Sequence, residues 1–402
     1  MTLMTATRPR THLAVLVVLG LTHLLNDLMQ SLIPAAYPIL KEAYALEFVQ
    51  IGMITLTFQI AGSLLQPVMG MVTDRYPAPY SPVVGMMFTL SGLVSLAFAL
   101  SYSMILVSVA LIGIGSSIFH PEATRMARYA AGGRHGLAQG IFQVGGQAGG
   151  ALGPVFAALI IVPLGQPSLA WFAATALVAM MLLAWIGSKQ RQISAEFTLM
   201  RAANGKKGGA TAAHAPLTIG IGLVVLTLLM FVKNAYSESF RSFYTFYLMD
   251  RFGLSIPSAQ MMLFIFLLAA AVGVLVGGIV GDRIGRYRII WISVLGPLPL
   301  TLILPFADLF WTGVLTIMIN LIMASAFASI LIYAMDLLPN RIGLIGGLFY
   351  GLNFGLGGIA AALLGMLADS HGVEAVYRLC SFLPLAGLLA WFLPRIDEGV
   401  GT

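Results

Sequence analysis

Gly278-Ile279-Val280-Gly281-Asp282-Arg283-Ile284-Gly285-Arg286-Tyr287-Arg288 is a charged, glycine-loosened turn caught between two apolar runs, each long enough to cross a bilayer. A weaker copy, Gly70-Met71-Val72-Thr73-Asp74-Arg75, precedes it; the two aspartates stand 208 residues apart (282 minus 74), about half of the chain. In Gly-x-x-x-Asp-Arg at the end of an apolar helix, the glycine lets a neighbouring helix approach and the acid caps that neighbour's N-terminus. The arginine stays at the aqueous face. This spacing predicts a gate built on Asp74 and Arg75 in one half and Asp282 and Arg283 in the other. The first copy runs on as Tyr76-Pro77-Ala78-Pro79-Tyr80, with no glycine or basic residue, so the second is the stronger gate element.

Apolar residues make up 59% of the 402 and charged ones 9%, against a usual quarter, which reads as an all-α polytopic membrane protein. Windows of about 20 apolar residues give twelve spans: 13–40, 48–73, 82–100, 103–128, 136–164, 168–187, 217–249, 257–281, 289–306, 309–337, 341–368 and 374–394. The first carries Asp27 and lacks a small-residue cleavage site, so it reads as a retained helix. Lys and Arg gather at one face, among them Arg8, Arg75, Arg125, Lys189, Lys206, Arg283, Arg341 and Arg395. The turns Ser101-Tyr102-Ser103 and Gly165-Gln166-Pro167 on the other face carry none. The positive-inside bias then places both termini in the cytoplasm, and topology accounts for the net charge of +6 without a nucleic-acid partner. The lone Cys380 excludes an intramolecular disulfide. No Gly-x-x-x-x-Gly-Lys-Ser/Thr loop is present, so ATP-driven pumping by this chain is not expected, and no cofactor is implied.

The one long hydrophilic interruption divides the chain into a six-span bundle over 1–187, a cytoplasmic linker over 188–216 and a second six-span bundle over 217–402. The same 208-residue offset aligns Asn26 with Asn234, Gln30 with Glu238, and Gly149 and Gly150 with Gly357 and Gly358. Matches at one offset in several places argue for a duplicated half. Two such halves hold a substrate near the midplane and rock around it. The fifth span carries Gly140, Gly149, Gly153 and Pro154; small residues four apart make a smooth stripe, and the proline weakens one backbone bond there.

A charge near the middle of a membrane helix costs roughly 2.5 to 3.5 kcal/mol, so each one needs a partner or a function. His23, Asn26, Asp27 and Gln30 fall at i, i+3, i+4 and i+7 on one face of the first span. His120, Glu122 and Arg125 surround Pro121 in the fourth; Gln139, Gln143 and Gln147 recur every fourth residue in the fifth. Lys233, Asn234, Ser237, Glu238 and Arg241 form a polar face in the seventh. Glu122 with Arg125, and Glu238 with Arg241, read equally as neutralising pairs that serve packing. The glutamines read equally as interhelical glue. His23 and Asp27 have no further ligand at metal spacing, so no metal site is expected. Asp27 first and Glu122 second are the candidate proton carriers, with Arg125 beside them. Arg241 and Lys233 suit a phosphate-like or carboxylate group. Asp308, Asp369, His371 and Glu374 fall at span ends and read as solvated.

The duplicated Asp-Arg turn resembles the signature of the major facilitator superfamily of transporters. The segments Gly113-Ile-Gly-Ser-Ser-Ile-Phe-His120-Pro121-Glu122-Ala-Thr-Arg125, Gly132-Gly-Arg134-His135-Gly136-Leu-Ala-Gln139, Phe142-Gln143-Val-Gly-Gly and His23-Leu-Leu-Asn26-Asp27 resemble its fosmidomycin-resistance branch over essentially the whole chain. The resemblance implies twelve transmembrane helices in two pseudo-symmetric six-helix bundles. It also implies a site lined by the first, fourth, fifth and seventh helices, and proton-driven exchange in a bacterial inner membrane. The glycines and Pro154 of the fifth span resemble the motif of proton-linked antiporters, with alanines at its end, which favours export. The arginine that many drug exporters carry before the glycine of the fourth helix is Val109 here. The expected partners are a small anionic drug or metabolite, protons and membrane lipid, with the chain acting as a monomer. Two alternatives stay open: an importer of organic anions, and a membrane enzyme using His120 with Glu122 or His23 with Asp27 as acid and base.

Overall fold

The computed structural model describes residues 11–76, 78–132, 134–204, 216–338 and 342–394. Along them run twelve helical spans. The first bundle holds α1 (Leu13–Tyr44), α2 (Phe48–Arg75), α3 (Ser81–Ala97), α4 (Tyr102–Ala130), α5 (His135–Phe156, continued to Leu164) and α6 (the tight turn Gln166–Phe172 leading into Ala173–Asn204). The second holds α7 (Pro216–Phe252), α8 (Ile256–Ile284), α9 (Arg286–Phe306), α10 (Leu309–Ala324 and Phe327–Leu337), α11 (Ile342–His371) and α12 (Val373–Phe392). Ten of these spans are long and apolar enough to cross a membrane by length and hydropathy alone. The other two are α3, short at 17 residues, and α11, at 30 residues.

Two boundaries differ from the sequence reading. α1 breaks at Ala36, between Pro34 and Pro38, and continues to Tyr44, because the Ala36 N–H itself still bonds back to Leu32 and Ile33 and the helix restarts at once. α6 runs past residue 187 to Asn204, and over 188–198 it is more polar and only partly buried. There Gln192 donates to Glu196 one turn on (3.1 Å) and His12 bonds Glu196 (2.9 Å). Much of the expected linker is therefore helical extension; Lys206 and Lys207 lie outside the described residues.

Glycines let the helices meet backbone to backbone. On α5, a Cβ at Gly145, Gly149 or Gly153 would collide with Gly20, Leu24 or Ser31 of α1, whereas Gly140 has open space around it. On α2 and α11, from opposite bundles, a Cβ at Gly52 would lie 2.6 Å from the Ala361 carbonyl, and one at Gly365 would lie 2.5 Å from that of Phe48. Between α8 and α9, Gly285 takes φ of 92°, a left-handed conformation that a side chain disfavours, so the charged turn needs a glycine there. The side chains of Asp74, Arg75, Asp282 and Arg283 lie outside the described ones, so the expected gate is placed by its backbone alone, at the ends of α2 and α8.

At the opposite end the two bundles are fastened together. Asp369 of α11 accepts from the backbone N–H groups of Phe48 (2.8 Å) and Val49 (2.7 Å), the first two of α2. It stands exposed, as a span-end acid should, but it also caps a helix of the other bundle. Nearby, Gln260 of α8 donates to the Ala35 carbonyl at the bend of α1 (3.0 Å). Asp308 caps α10 through the Trp311 N–H, and Glu374 pairs with Arg251 and Arg378. Three of the four span-end groups named in the sequence thus hold structure together.

Candidate functional site

Between the bundles lies a cavity of about 220 Å³, lined by α1, α2, α4 and α5 on one side and α7, α8 and α10 on the other. Its most polar wall is built on α1 and α4. The helical spacing of four puts His23 and Asp27 one above the other, with His23 Nε2 3.2 Å from Asp27 Oδ2. α4 brings His120 Nε2 to 3.6 Å from Asp27 Oδ1. Both imidazoles are buried, while the Asp27 side chain keeps 25% of its surface open.

The other ring nitrogens fix the chemistry of this trio. His23 Nδ1 lies 2.7 Å from the Phe142 carbonyl of α5, and His120 Nδ1 lies 3.0 Å from that of Ser116. A carbonyl only accepts, so each Nδ1 carries the hydrogen and each Nε2 turns toward the carboxylate. With both rings neutral, bare lone pairs would face a carboxylate across buried space. The arrangement is satisfied when a proton lies between them, on a ring or on the acid. The His23 ring stacks on Phe142 (centroids 4.0 Å) and meets His120 edge-on (5.2 Å), which holds both in place. Gly146 of α5 makes the room: a Cβ there would sit 2.5 Å from His23 Nε2 and 2.9 Å from Asp27 Oδ2. The sequence offers only the His23–Asp27 pair; the fold adds His120, so three ligand-type atoms lie within 4.8 Å of one another and can share one proton or cation.

The facing wall is cationic. Lys233 of α7 is buried and donates to Ser293 Oγ at 3.3 Å, and Arg241, two turns on, reaches the cavity with its side chain exposed to it. Among the described residues neither cation has a carboxylate within ion-pair distance. The neutralising pair Glu238–Arg241 does not form. Glu238 instead accepts from Ser242 Oγ (2.8 Å) and from Gln59 Nε2 of α2 (3.0 Å), across the seam between the bundles.

Of the residues singled out in the sequence, His23, Asp27, Gln30, His120, Gln143, Gln147, Pro154, Lys233, Asn234, Glu238 and Arg241 line the cavity. Gln30 accepts from Ser116 Oγ (3.2 Å) and leaves its Nε2 donor unused. Asn26 and Gln139 stand off the lining; Asn26 donates to Asp27 Oδ1 (3.0 Å) and so positions it. Glu122 and Arg125 do pair with each other, and Gln190 of α6 donates to Glu122 at 2.6 Å, which puts this acid inside the first bundle and off the cavity wall. Sequence reasoning missed α2. Thr55, Gln59, Ser63 and Gln66 are all buried and recur along one face of it, and that stripe in an apolar helix was the available signal.

The sequence matches the Major Facilitator Superfamily over residues 19–362 and 226–401. The chain belongs to the major facilitator superfamily. As a major facilitator protein it is a multi-pass membrane transporter and not an enzyme. It is 54% identical over 391 residues to the fosmidomycin resistance protein of Escherichia coli (strain K12), covering 96% of this chain and 94% of that one. It is 40% identical over 383 residues to an uncharacterized MFS-type transporter, YfnC, of Bacillus subtilis (strain 168), covering 94% and 92%. A crystal structure of a nucleoside transporter superposes with a TM-score of 0.69 at 15% identity over 95% of this chain and 98% of that one, a likeness of fold alone. Among major facilitator transporters this chain therefore falls in the fosmidomycin-resistance branch.

Proposed function

We propose that this chain is a proton-coupled antiporter that exports a small anionic compound, a phosphonate of the fosmidomycin kind, by alternating access across a bacterial inner membrane. It works as a monomer with both termini in the cytoplasm, and its units are the bundles 1–187 and 217–402 joined by 188–216. The observation that carries this reading is one cavity with two unlike walls: the proton-sharing His23–Asp27–His120 group faces Lys233 and Arg241, which no carboxylate among the described residues neutralises. An unneutralised cation in a membrane is costly, and a phosphonate or carboxylate from solution supplies the missing charge. The planar fork of Arg241 suits such a group bidentately.

Exchange requires that substrate and proton compete. A substrate with a hydrogen-bond donor at the end away from its anion places that hydrogen among the three acceptors, where the proton otherwise sits. Substrate arrival then releases the proton, and proton arrival releases the substrate. Asn26 holds the carboxylate in register, and the idle Nε2 of Gln30 offers the substrate one more donor. With the Asp369 end outside, this conformation is shut toward the exterior, and the Asp74 and Asp282 turns form the lock that shuts the cytoplasmic end in the other state.

The test uses purified protein in vesicles with an imposed pH difference and fosmidomycin as probe. Asp27→Asn should abolish accumulation driven by the pH difference yet keep substrate binding that depends less on pH than the parent's. If Asp27→Asn vesicles still accumulate fosmidomycin against its gradient, the proton rides on a histidine or on Glu122. Accumulation on the side opposite to the proton source would mark co-transport and replace export by uptake.

A further inference from the structure

We infer that Glu238 is a positioning residue that ties closure of the Asp369 end to the charge in the cavity. This rests on the transport reading above but concerns a different carboxylate, on the other bundle. Glu238 is buried on α7, lines the cavity, and is bonded across the seam to α2.

The seam has two rungs. In one, Gln59 Nε2 of α2 donates to Glu238 Oε2 at 3.0 Å. In the other, Ser242 Oγ donates to Glu238 Oε1 at 2.8 Å and lies 3.3 Å from Thr55 Oγ1 of α2, which is 2.6 Å from Tyr37 Oη of α1. Glu238 and Ser242 are one turn apart on α7, as Thr55 and Gln59 are on α2, so the rungs are parallel and both end on the same carboxylate. Closer to the Asp369 end, α2 meets α11 through Gly52 and Ala361, and Asp369 caps its N-terminus. α2 is thus pinned to the second bundle along a continuous face.

A carboxylate accepts from both donors at once. In the neutral acid the hydrogen on Oε1 turns to Ser242 Oγ, which accepts it and gives its own to Thr55 Oγ1, so both rungs lose the charge assistance that makes them strong. The groups around Glu238 are of two kinds. Tyr37 comes from α1 and Lys233 and Arg241 from its own helix, while Asp27, His23 and His120 stand on the far wall of the cavity. The α2 side offers the neutral Thr55 and Gln59, and α8 and α10 contribute Leu263, Leu267 and Asn320 to the same space. Neutralising Glu238 therefore weakens cross-bundle bonds that none of the neighbouring cations replaces. Opening of this end and loss of the Glu238 charge go together, and by linkage each promotes the other.

The test is a distance measurement between spin labels on Ala43→Cys and Ser255→Cys, exposed positions of opposite bundles at the Asp369 end, made without substrate from alkaline to acidic pH. In the parent the long-distance population should grow as pH falls. Glu238→Gln, neutral and of the same shape, keeps both partners without the charge; it should raise that population by about tenfold at alkaline pH and remove its response to pH. Gln59→Met deletes one rung without touching the acid; it should also raise the long-distance population, and it stands in if Glu238→Gln does not fold. The inference is overturned if Glu238→Gln or Gln59→Met keeps the parent distances. It is equally overturned if Asp27→Asn alone abolishes the pH response while Glu238→Gln retains it. Because no substrate is present, failure of the parent to transport fosmidomycin would strike the transport reading and leave this result standing.

Discussion

At the scale of single residues, the site depends on where hydrogens and methyl groups sit. His23 and His120 each spend their Nδ1 hydrogen on a main-chain carbonyl, which commits both Nε2 atoms to Asp27. Gly146 is the spacer that permits this crowding. Gly146→Ala places a methyl group 2.5 Å from His23 Nε2, on a helix backbone that cannot retreat from α1. Overpacking of this kind costs about 1 to 3 kcal/mol, which the roughly 1 kcal/mol helix preference of alanine over glycine offsets in part, so the variant should melt somewhat lower than the parent and lose pH-driven transport. Gly140→Ala, with open space around it, is the matched control and should transport normally. Equal transport by the two variants, measured beside their melting temperatures, would remove Gly146 from the account.

At the scale of elements, the pair α2 and α11 does what no single residue does, joining the bundles by bare backbone and one helix cap. The two N–H groups that Asp369 covers are among those a helix start leaves unpaired, and the carboxylate also meets the positive end of the helix dipole. Asp369→Ala should cost about 0.5 to 2 kcal/mol at this junction. It should speed labelling of a cysteine placed in the cavity by a membrane-impermeant thiol reagent added on the Asp369 side. Asp369→Asn, which keeps one acceptor, should fall between. Labelling of Asp369→Ala at the parent rate would mean that the glycine contacts alone hold this end.

At the scale of the whole molecule, alternating access needs two locks of comparable strength at opposite ends, since a transporter resting in one state moves nothing. The lock at the Asp369 end is formed in this conformation. Its counterpart is expected at the Asp74 and Asp282 turns, where the acids cap neighbouring helices in the other state. Asp282→Asn should slow fosmidomycin transport severalfold without lowering the folded yield, and Asp74→Asn, from the weaker copy of the motif, should do less. Parent-level transport by a well-folded Asp282→Asn protein would leave the second lock to other contacts.

The sequence by itself determined the class, the helix count and much of the cavity. Hydropathy marks every span because the bilayer leaves a backbone no other way to satisfy its hydrogen bonds. Polar residues in those spans mark the site because their burial needs a reason. His23 with Asp27, and Lys233 with Arg241, were legible as faces of single helices. What the tertiary structure alone decided is which faces meet. Gly149 and Gly357 are equivalent by the internal repeat, yet the first packs on α1 within its bundle and the second against Gln59 of α2 across the seam. His120 joins Asp27 while Glu122, two residues on, turns inward to Gln190, and Glu238 passes over Arg241 for Gln59. Each of these choices pits nearby partners of similar chemistry against one another. The rotation and depth of the packed helices decide between them, and one-dimensional spacing carries neither quantity.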